Sequence, residues 1–141
     1  MTNILEGIDV SEAQAKNTWY KVAQSGKVFF AFTKATQGRT YVDKQFKNNW
    51  VGIKESKLLR GAYHFASGST NIADAIVQAD HFIDTLESSG GTDDLDMLVL
   101  DMEVAGNLLT TQQFNDWVLT FLERINTERS NFCPDNTSPY P

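Results

Sequence analysis

Two carboxylates stand two positions apart at the end of an apolar stretch. Met97-Leu98-Val99-Leu100 leads into Asp101-Met102-Glu103. Side chains of a strand alternate between its two faces, so Asp101 and Glu103 are predicted to point one way and Met102 the other. Like charges held close together raise the pKa of one group and leave the other ionised. The pair therefore offers an acid and an anion at the same pH, which is what glycoside cleavage requires.

Three more polar residues stand near the ends of predicted strands, namely Asp9, Lys34 and Tyr63. Lys34 could hold Asp9 or another carboxylate ionised, and the Tyr63 hydroxyl could bind a polar group of a substrate. Two other interpretations of the carboxylates stay open at this point. The first is a Mg²⁺ site, because hard cations favour clustered carboxylates. A loop-capping aspartate beside an exposed glutamate is the other.

The elements that must position these residues form four strand–helix repeats. Strands are predicted at 7–10, 28–33, 59–65 and 97–103, each followed by a helix with apolar residues at helical spacing. The predicted helix starts are Asn17, Asp43, Asn71 and a capping box of Thr110 with Gln113, and Gly26 is expected to end the first helix.

Alternating strands and helices predict an α/β fold with a parallel sheet. The sheet could be doubly wound or a β/α barrel. No glycine-rich phosphate loop follows the first strand, which disfavours the doubly wound nucleotide-binding sheet. In a barrel the active site lies at the carboxyl ends of the strands, where Asp9, Asp101 and Glu103 all fall.

Composition excludes several classes of protein. The formal charge is -6 and the pI is about 4.8, which argues against sequence-blind binding to nucleic acid. No apolar run approaches the roughly 20 residues that cross a bilayer, so no membrane partner is expected. Residues 1–7 lack the basic and apolar segments of a signal peptide.

The few cysteines and histidines predict neither a disulfide framework nor a zinc site. Cys133 is the single cysteine of the sequence and has no base near it in sequence, so it is not expected to be a nucleophile. His64 is predicted by strand parity to face the helices and pack there, and His81 to be solvated on a helix. No cofactor is expected.

Four blocks of the sequence resemble those of the glycoside hydrolase family 25 lysozymes. They are Gly7-Ile8-Asp9-Val10-Ser11 with Gln14, Phe32-Thr33-Lys34-Ala35-Thr36-Gln37-Gly38 with Tyr41, Asp43 and Phe46, Arg60-Gly61-Ala62-Tyr63-His64-Phe65, and Asp101-Met102-Glu103. All four occur in the family's order and at plausible spacing. The resemblance covers roughly residues 7 to 125.

The resemblance implies a muramidase that cuts the β-1,4 bond between N-acetylmuramic acid and N-acetylglucosamine in peptidoglycan. Glu103 would be the general acid, and Asp101 would orient the 2-acetamido group or stabilise the charge that develops on it. Asp9 would lie beside them, and Tyr63 would contact the acetamide. The enzyme would act outside the cell or on cell walls.

The sequence departs from the family in two ways. Gln37 stands where the family often has a glutamate. A barrel of eight units needs about 250 residues, so we expect residues 1–125 to be the N-terminal part of the catalytic domain and 126–141 an irregular tail. Open sheet edges would then favour self-association. A non-catalytic remnant that binds peptidoglycan is the alternative function, and a metal-dependent barrel enzyme is a third hypothesis.

Overall fold

Strands and helices alternate along the chain as the sequence predicts. The computed structural model describes residues 4–14, 16–104 and 109–132. Its elements are β1 (Glu6–Val10), α1 (Trp19–Gln24), β2 (Val28–Gln37), β3 (Tyr41–Val42), α2 (Phe46–Glu55), β4 (Leu59–Ser67), α3 (Ala73–Ser88), β5 (Met97–Val104) and α4 (Thr111–Phe132). The short β3 has no counterpart in the sequence prediction.

The sheet is parallel, in the order β1-β2-β4-β5. The predicted α/β class is therefore confirmed, and the four predicted strands lie side by side in their chain order. β3 pairs antiparallel with the end of β2, where Gln37 lies opposite Tyr41. Within the described residues the sheet is open, with β1 and β5 at its edges, whereas a closed β/α barrel has eight strands.

Helices seal one face of the sheet, which we call the helix face. In β2 the side chains of Ala31, Thr33 and Ala35 are fully buried there. The alternate residues point to the other face, which we call the open face, and they stay partly exposed. At the edge of the open face, Met97 is 39% and Val99 38% exposed.

Large aromatic side chains fill the space between the helix face and the helices. Each comes from a predicted apolar stripe, and all are buried: Phe46, Trp50, Phe82, Trp117 and Phe121. Fully burying one such side chain contributes about 1.5–3 kcal/mol to folding. This cluster fixes α2, α3 and α4 against the sheet and so fixes which strand residues face outward.

His64 belongs to this buried layer, as its strand parity predicts. Its Nδ1 lies 2.7 Å from the Thr36 hydroxyl and its Nε2 lies 2.9 Å from the Gln78 carbonyl oxygen. Its ring stacks on Phe121 with centroids 5.2 Å apart. Burial lowers the pKa of His64 to about 4. The ring is therefore neutral at pH 7, with Nε2–H donating to Gln78 and Nδ1 accepting from Thr36.

Local capping chemistry explains where α4 begins. The Thr110 backbone N–H donates to Gln113 Oε1 at 3.0 Å, and the Gln113 N–H donates to Thr110 Oγ1 at 3.2 Å. This is the predicted capping box. α4 continues to Phe132, past Asn126, where the irregular tail was expected to begin. Residues 133–141, with Cys133, lie outside the described part of the chain.

The other helix starts differ in detail. Asn71 Oδ1 accepts from the Ala73 N–H at 3.1 Å, as a cap should. The prediction for Asn17 is wrong, because α1 begins after Thr18 and no side chain caps it. The Asn17 amide instead donates to Asn49 Oδ1 at 3.5 Å, and that oxygen also accepts from Trp19 Nε1 at 3.2 Å.

A buried ion pair ties the strand starts together at the end of the sheet opposite the carboxylates. Arg60 donates from Nε and Nη2 to the two oxygens of Asp96, both at 2.7 Å. Its Nη1 donates to the Trp50 carbonyl at 3.0 Å, and its guanidinium lies 3.7 Å from the centroid of the Trp50 ring. The pair joins β4, α2 and the loop before β5 through charge-assisted bonds that exclude water.

Removal of one partner of this pair should be costly. We expect Asp96→Asn to lower the free energy of unfolding by up to about 3–5 kcal/mol, because the buried guanidinium loses its bidentate counter-charge and keeps only Asp93, whose Oδ2 lies 3.8 Å from Nη2. The control is Lys54→Met, which removes the exposed ion pair of Lys54 and Asp93 and should cost less than about 1 kcal/mol. Urea unfolding of the two variants measures both values, and equal costs would contradict a special role for the buried pair.

Candidate functional site

The carboxylates identified in the sequence line a groove at the carboxyl ends of the strands. Asp9 lies near the end of β1, and Asp101 and Glu103 lie in the last part of β5. The groove has a volume of about 690 Å³ and opens to solvent. Its lining consists of Asp9, Ser11, Phe32, Lys34, Tyr63, Phe65, Val99, Leu100, Asp101, Met102 and Glu103. The structure thus brings together all five residues predicted for the site.

The apolar floor of the groove depends on close contacts between strands. Phe32 lies opposite Gly61 in the parallel register, and a Cβ added to Gly61 would collide with the Phe32 ring. Phe30 has the same relation to Gly7 of β1. The missing side chains let the two aromatic rings lie across the neighbouring strands. The groove therefore has an aromatic base below its charged rim.

β5 places its two carboxylates on the open face. Met102 between them packs against the helix-side core, as the alternation predicts. Asp101 is half-buried and Glu103 is exposed. Burial raises the pKa of Asp101, the charge of Glu103 raises it further, and Lys34 acts in the opposite direction. Burial is thus the main cause of the raised pKa of Asp101, and the neighbouring carboxylate adds to it.

Tyr63 stands between β2 and β5 in the sheet, opposite Lys34 on one side and Val99 on the other. Its pKa is raised to about 12, first by burial and then by the charges of Asp9 and Asp101. The phenol therefore stays protonated at neutral pH. It can donate a hydrogen bond to an oxygen atom bound in the groove.

Lys34 makes contacts that the sequence did not predict. Its Nζ lies 2.6 Å from Gln37 Oε1 and sits over the rings of Phe65 and Tyr41, 5.0 Å and 5.8 Å from their centroids. Among the described residues Lys34 forms no ion pair within 4.0 Å. Its charge nevertheless acts to lower the pKa of Asp101, against burial and the charge of Glu103.

The rim beside Lys34 is held by a link between the β1–α1 loop and the β2–β3 hairpin. Asp43 Oδ2 accepts from the Glu12 N–H at 2.8 Å, and Glu12 Oε2 accepts from the Lys44 N–H at 3.3 Å. The Tyr41 hydroxyl donates to the Glu12 carboxylate, which raises the pKa of Tyr41 to about 12 and lowers that of Glu12. Sequence reasoning missed Glu12 because its partners are about 30 residues away.

Two other features of the molecule bear on the chemistry. Across the described ranges, no three His, Cys, Asp or Glu side chains are arranged to hold a metal ion, and no helix there is long and apolar enough to cross a membrane.

His81 is partly buried and contacts the Tyr41 carbonyl at 3.0 Å through Nε2, so it is less solvated than expected.

Comparison with known sequences places the groove in context. The sequence model of the Glycosyl hydrolases family 25 matches residues 8–133. Lysozyme M1 of Streptomyces globisporus is 36% identical over 132 residues, which is 87% of this chain and 42% of that protein. The N,O-diacetylmuramidase of Arthroderma benhamiae is 28% identical over 144 residues, 96% of this chain and 58% of that protein. The chain thus spans about half the length of these curated relatives.

Two solved structures are similar to this chain in fold. The bacterial lysozyme from Streptomyces coelicolor superimposes with a TM-score of 0.70 at 31% identity, over 90% of this chain and 59% of that one. A family 25 glycosyl hydrolase from Bacillus anthracis gives a TM-score of 0.72 at 26% identity, over 86% of this chain and 55% of that one. The parallel sheet and its helices are therefore shared with both structures.

The charges around Asp101 predict how its titration responds to mutation. Glu103→Gln should lower the Asp101 pKa, because a repelling anion is removed. Lys34→Met should raise it, because an attracting cation is removed. Carboxyl ¹³C NMR titration measures both shifts, with the exposed Lys47→Met on α2 as the control. Asp101 titrating identically in all four proteins would mean that burial alone sets its pKa.

Proposed function

We propose that this chain, which belongs to glycosyl hydrolase family 25, cleaves the β-1,4 bond between N-acetylmuramic acid and N-acetylglucosamine in bacterial peptidoglycan. The observation that carries the proposal is the groove at the carboxyl ends of the strands, lined by Asp9, Asp101 and Glu103. A lysozyme and a muramidase are among the proteins that the chain resembles. Such a substrate places the site of action at the cell wall, outside the cell.

In the proposed mechanism Glu103 is the general acid. It gives its proton to the glycosidic oxygen as the bond to the anomeric carbon breaks, and water supplies the new hydroxyl at that carbon. Asp101 orients the 2-acetamido group or stabilises the charge that develops on it. Attack by the acetamide oxygen would retain the anomeric configuration, and attack by a base-activated water would invert it.

The remaining groove residues are proposed to bind the substrate. Tyr63 donates its hydroxyl hydrogen to the acetamide carbonyl, a role supported by its place in the groove beside Asp9 and Asp101. Asp9 lies beside the reacting carboxylates, and Lys34 binds a polar group of the glycan. The raised pKa of Asp101 suits a carboxyl that shares a proton with a neighbouring amide or acid.

A second candidate function is glycan binding without cleavage. It is favoured by the exposure of Asp9 and Glu103. Water around these groups screens their interaction and weakens the stabilisation of a charged transition state. For the same reason we expect the 141-residue chain to be a weak enzyme.

We also propose that the 141-residue chain self-associates. Phe30, Phe32 and Val99 lie on the open face, and β1 and β5 are edge strands among the described residues. Edge strands with unpaired backbone groups readily pair with another chain. Because the sheet is parallel, β1 of one copy could lie along β5 of another and continue the same hydrogen-bonding pattern.

Glu103→Gln should abolish hydrolysis of cell walls and leave the fold intact. The amide keeps the shape of the side chain but has no acidic proton, and general acid catalysis is typically worth about 10²–10⁴-fold. The control is Glu55→Gln on the exposed surface of α2. A turbidity assay on bacterial walls measures both, and activity of Glu103→Gln within a few-fold of the unmodified chain would contradict the assignment.

The same assay separates this chemistry from metal catalysis. Hydrolysis should survive EDTA, because the proposed steps use only carboxylates and the substrate's own acetamide. Loss of activity in EDTA with rescue by Mg²⁺ or Mn²⁺ would make Asp101 and Glu103 metal ligands instead of an acid and its partner.

Sedimentation should show the 141-residue chain as a dimer or a larger species. Val99→Lys should shift it toward monomer, because a charge on the open face would be buried by association. Leu119→Lys, on the exposed side of α4, is the control and should not. A stable monomer that clears walls at typical lysozyme rates would contradict both the self-association and the expected weak activity.

A further inference from the structure

Lys34 is a cation in a groove whose other charged side chains are carboxylates. We propose that Lys34 determines specificity by binding an anionic, carboxylate-bearing substituent of the glycan, and that Gln37 is a positioning residue that holds the ammonium group in place. This inference rests on the proposed function, because it concerns the same groove and the same class of substrate.

A β-bulge brings Gln37 to Lys34. Residues three apart in a regular strand point to opposite faces. Between Lys34 and Thr36 the register with β4 shifts by one residue, so that Ala35 and Thr36 are both buried. The shift returns Gln37 to the side of Lys34, where its Oε1 accepts from Nζ at 2.6 Å. Bulges re-aim side chains in this way beside functional sites.

The position of the ammonium group is defined on three sides. Besides the bond to Gln37, it lies over the rings of Phe65 and Tyr41. Tyr41 is in turn fixed by the hydrogen bond to Glu12. An ammonium group has three N–H donors, and the contacts in the described residues use one of them on an oxygen. Donors therefore remain for a ligand.

The charge of Lys34 is only weakly balanced by its neighbours. The charge of Lys34 acts to lower the pKa values of Glu12 and Asp101. Neither carboxylate lies within ion-pair distance of Lys34 in the described part of the chain. At Asp101 its attraction is outweighed by burial and by Glu103, since the pKa is raised. Gln37 holds the ammonium without neutralising it, whereas a glutamate at that position would form an ion pair.

The proposed substrate has a matching anion. N-acetylmuramic acid carries a lactyl carboxylate, which is free in bare glycan and amide-linked where a stem peptide with its own carboxylates is attached. A carboxylate that enters the groove is repelled by Asp9, Asp101 and Glu103. A fixed cation at the rim offsets this repulsion and favours muramyl units over neutral N-acetylglucosamine units.

Binding of three saccharides to the 141-residue chain tests the inference. They are N-acetylglucosaminyl-N-acetylmuramic acid, its lactyl methyl ester and neutral N,N′-diacetylchitobiose, with dissociation constants from calorimetry or NMR. We expect the acid to bind about twofold to fivefold more tightly than the ester, which is the range of a partly exposed ion pair. The disaccharide with an alanyl-isoglutamine peptide on the lactyl group shows whether a peptide carboxylate serves equally well.

Substitutions at Lys34 and Gln37 test whether these two residues cause the preference for the acid over the ester. Lys34→Met should bring the acid-to-ester ratio to about one and weaken the binding of the acid more than that of chitobiose, and Lys34→Arg should keep the preference. Gln37→Glu should reduce the ratio because it neutralises the ammonium, whereas Lys47→Met, the control, should change nothing. Equal loss of all three saccharides in Lys34→Met would make Lys34 a packing residue and overturn the inference. Equal binding of acid and ester by the unmodified chain, or no binding, would overturn it as well.

The readout does not depend on hydrolysis. A chain that prefers the acid but cleaves no cell wall would retain the inference and refute the enzymatic function. A chain that cleaves walls but binds acid and ester equally would retain the enzymatic function and refute the inference.

Discussion

The helix face of the sheet has to be sealed, and this requirement determines where every polar residue of the groove lies. Ala31, Thr33 and Ala35 are fully buried on this face, and Ala31 packs with Trp19 of α1 and Ile53 of α2. Because side chains alternate along a strand, Phe32 and Lys34 must then point to the open face. A shift of one residue would exchange the two faces and place the lysine in the aromatic core. The hydrophobic burial that stabilises the fold is therefore also what aims the groove residues.

Among the described residues the parallel sheet has three register shifts, and two of them lie near the groove. The bulge at Lys34–Thr36 places Thr36 against His64 on the helix face and Gln37 beside Lys34 on the other. A second register shift lies between Phe65, which pairs with Asp101, and Ser67, which pairs with Val104. The third shift lies between Glu6 and Gly7 at the start of β1, so irregular pairing shapes the carboxyl end of the sheet without being confined to it.

Features set by neighbouring residues could be predicted from the sequence, and features set by distant contacts could not. The Thr110–Gln113 box was predictable because both hydrogen bonds join residues three apart. The direction of Tyr63 toward the open face followed from strand parity, because His64 beside it faces the helices. The hydrogen bond between Lys34 and Gln37 was not predictable, because only the β-bulge at Lys34–Thr36 turns Gln37 to the same side of the strand as Lys34. Asn17 likewise bonds to Asn49 on α2 instead of capping its own helix.

The open face links the stability of the fold to the electrostatics of the groove. Phe32 and Val99 form its apolar base, and Asp101 stands directly above them in β5. Any polypeptide that covers this face removes water from the apolar side chains and from the carboxylates together. The first effect favours association by about 25 cal/mol per Å² of apolar surface. The second lowers the effective dielectric constant, so that Glu103 and Asp101 repel each other more strongly. The pKa of Asp101 is already raised with the face open, and covering the face would raise it further. Covering the open face would thus both stabilise the protein and raise the pKa of Asp101.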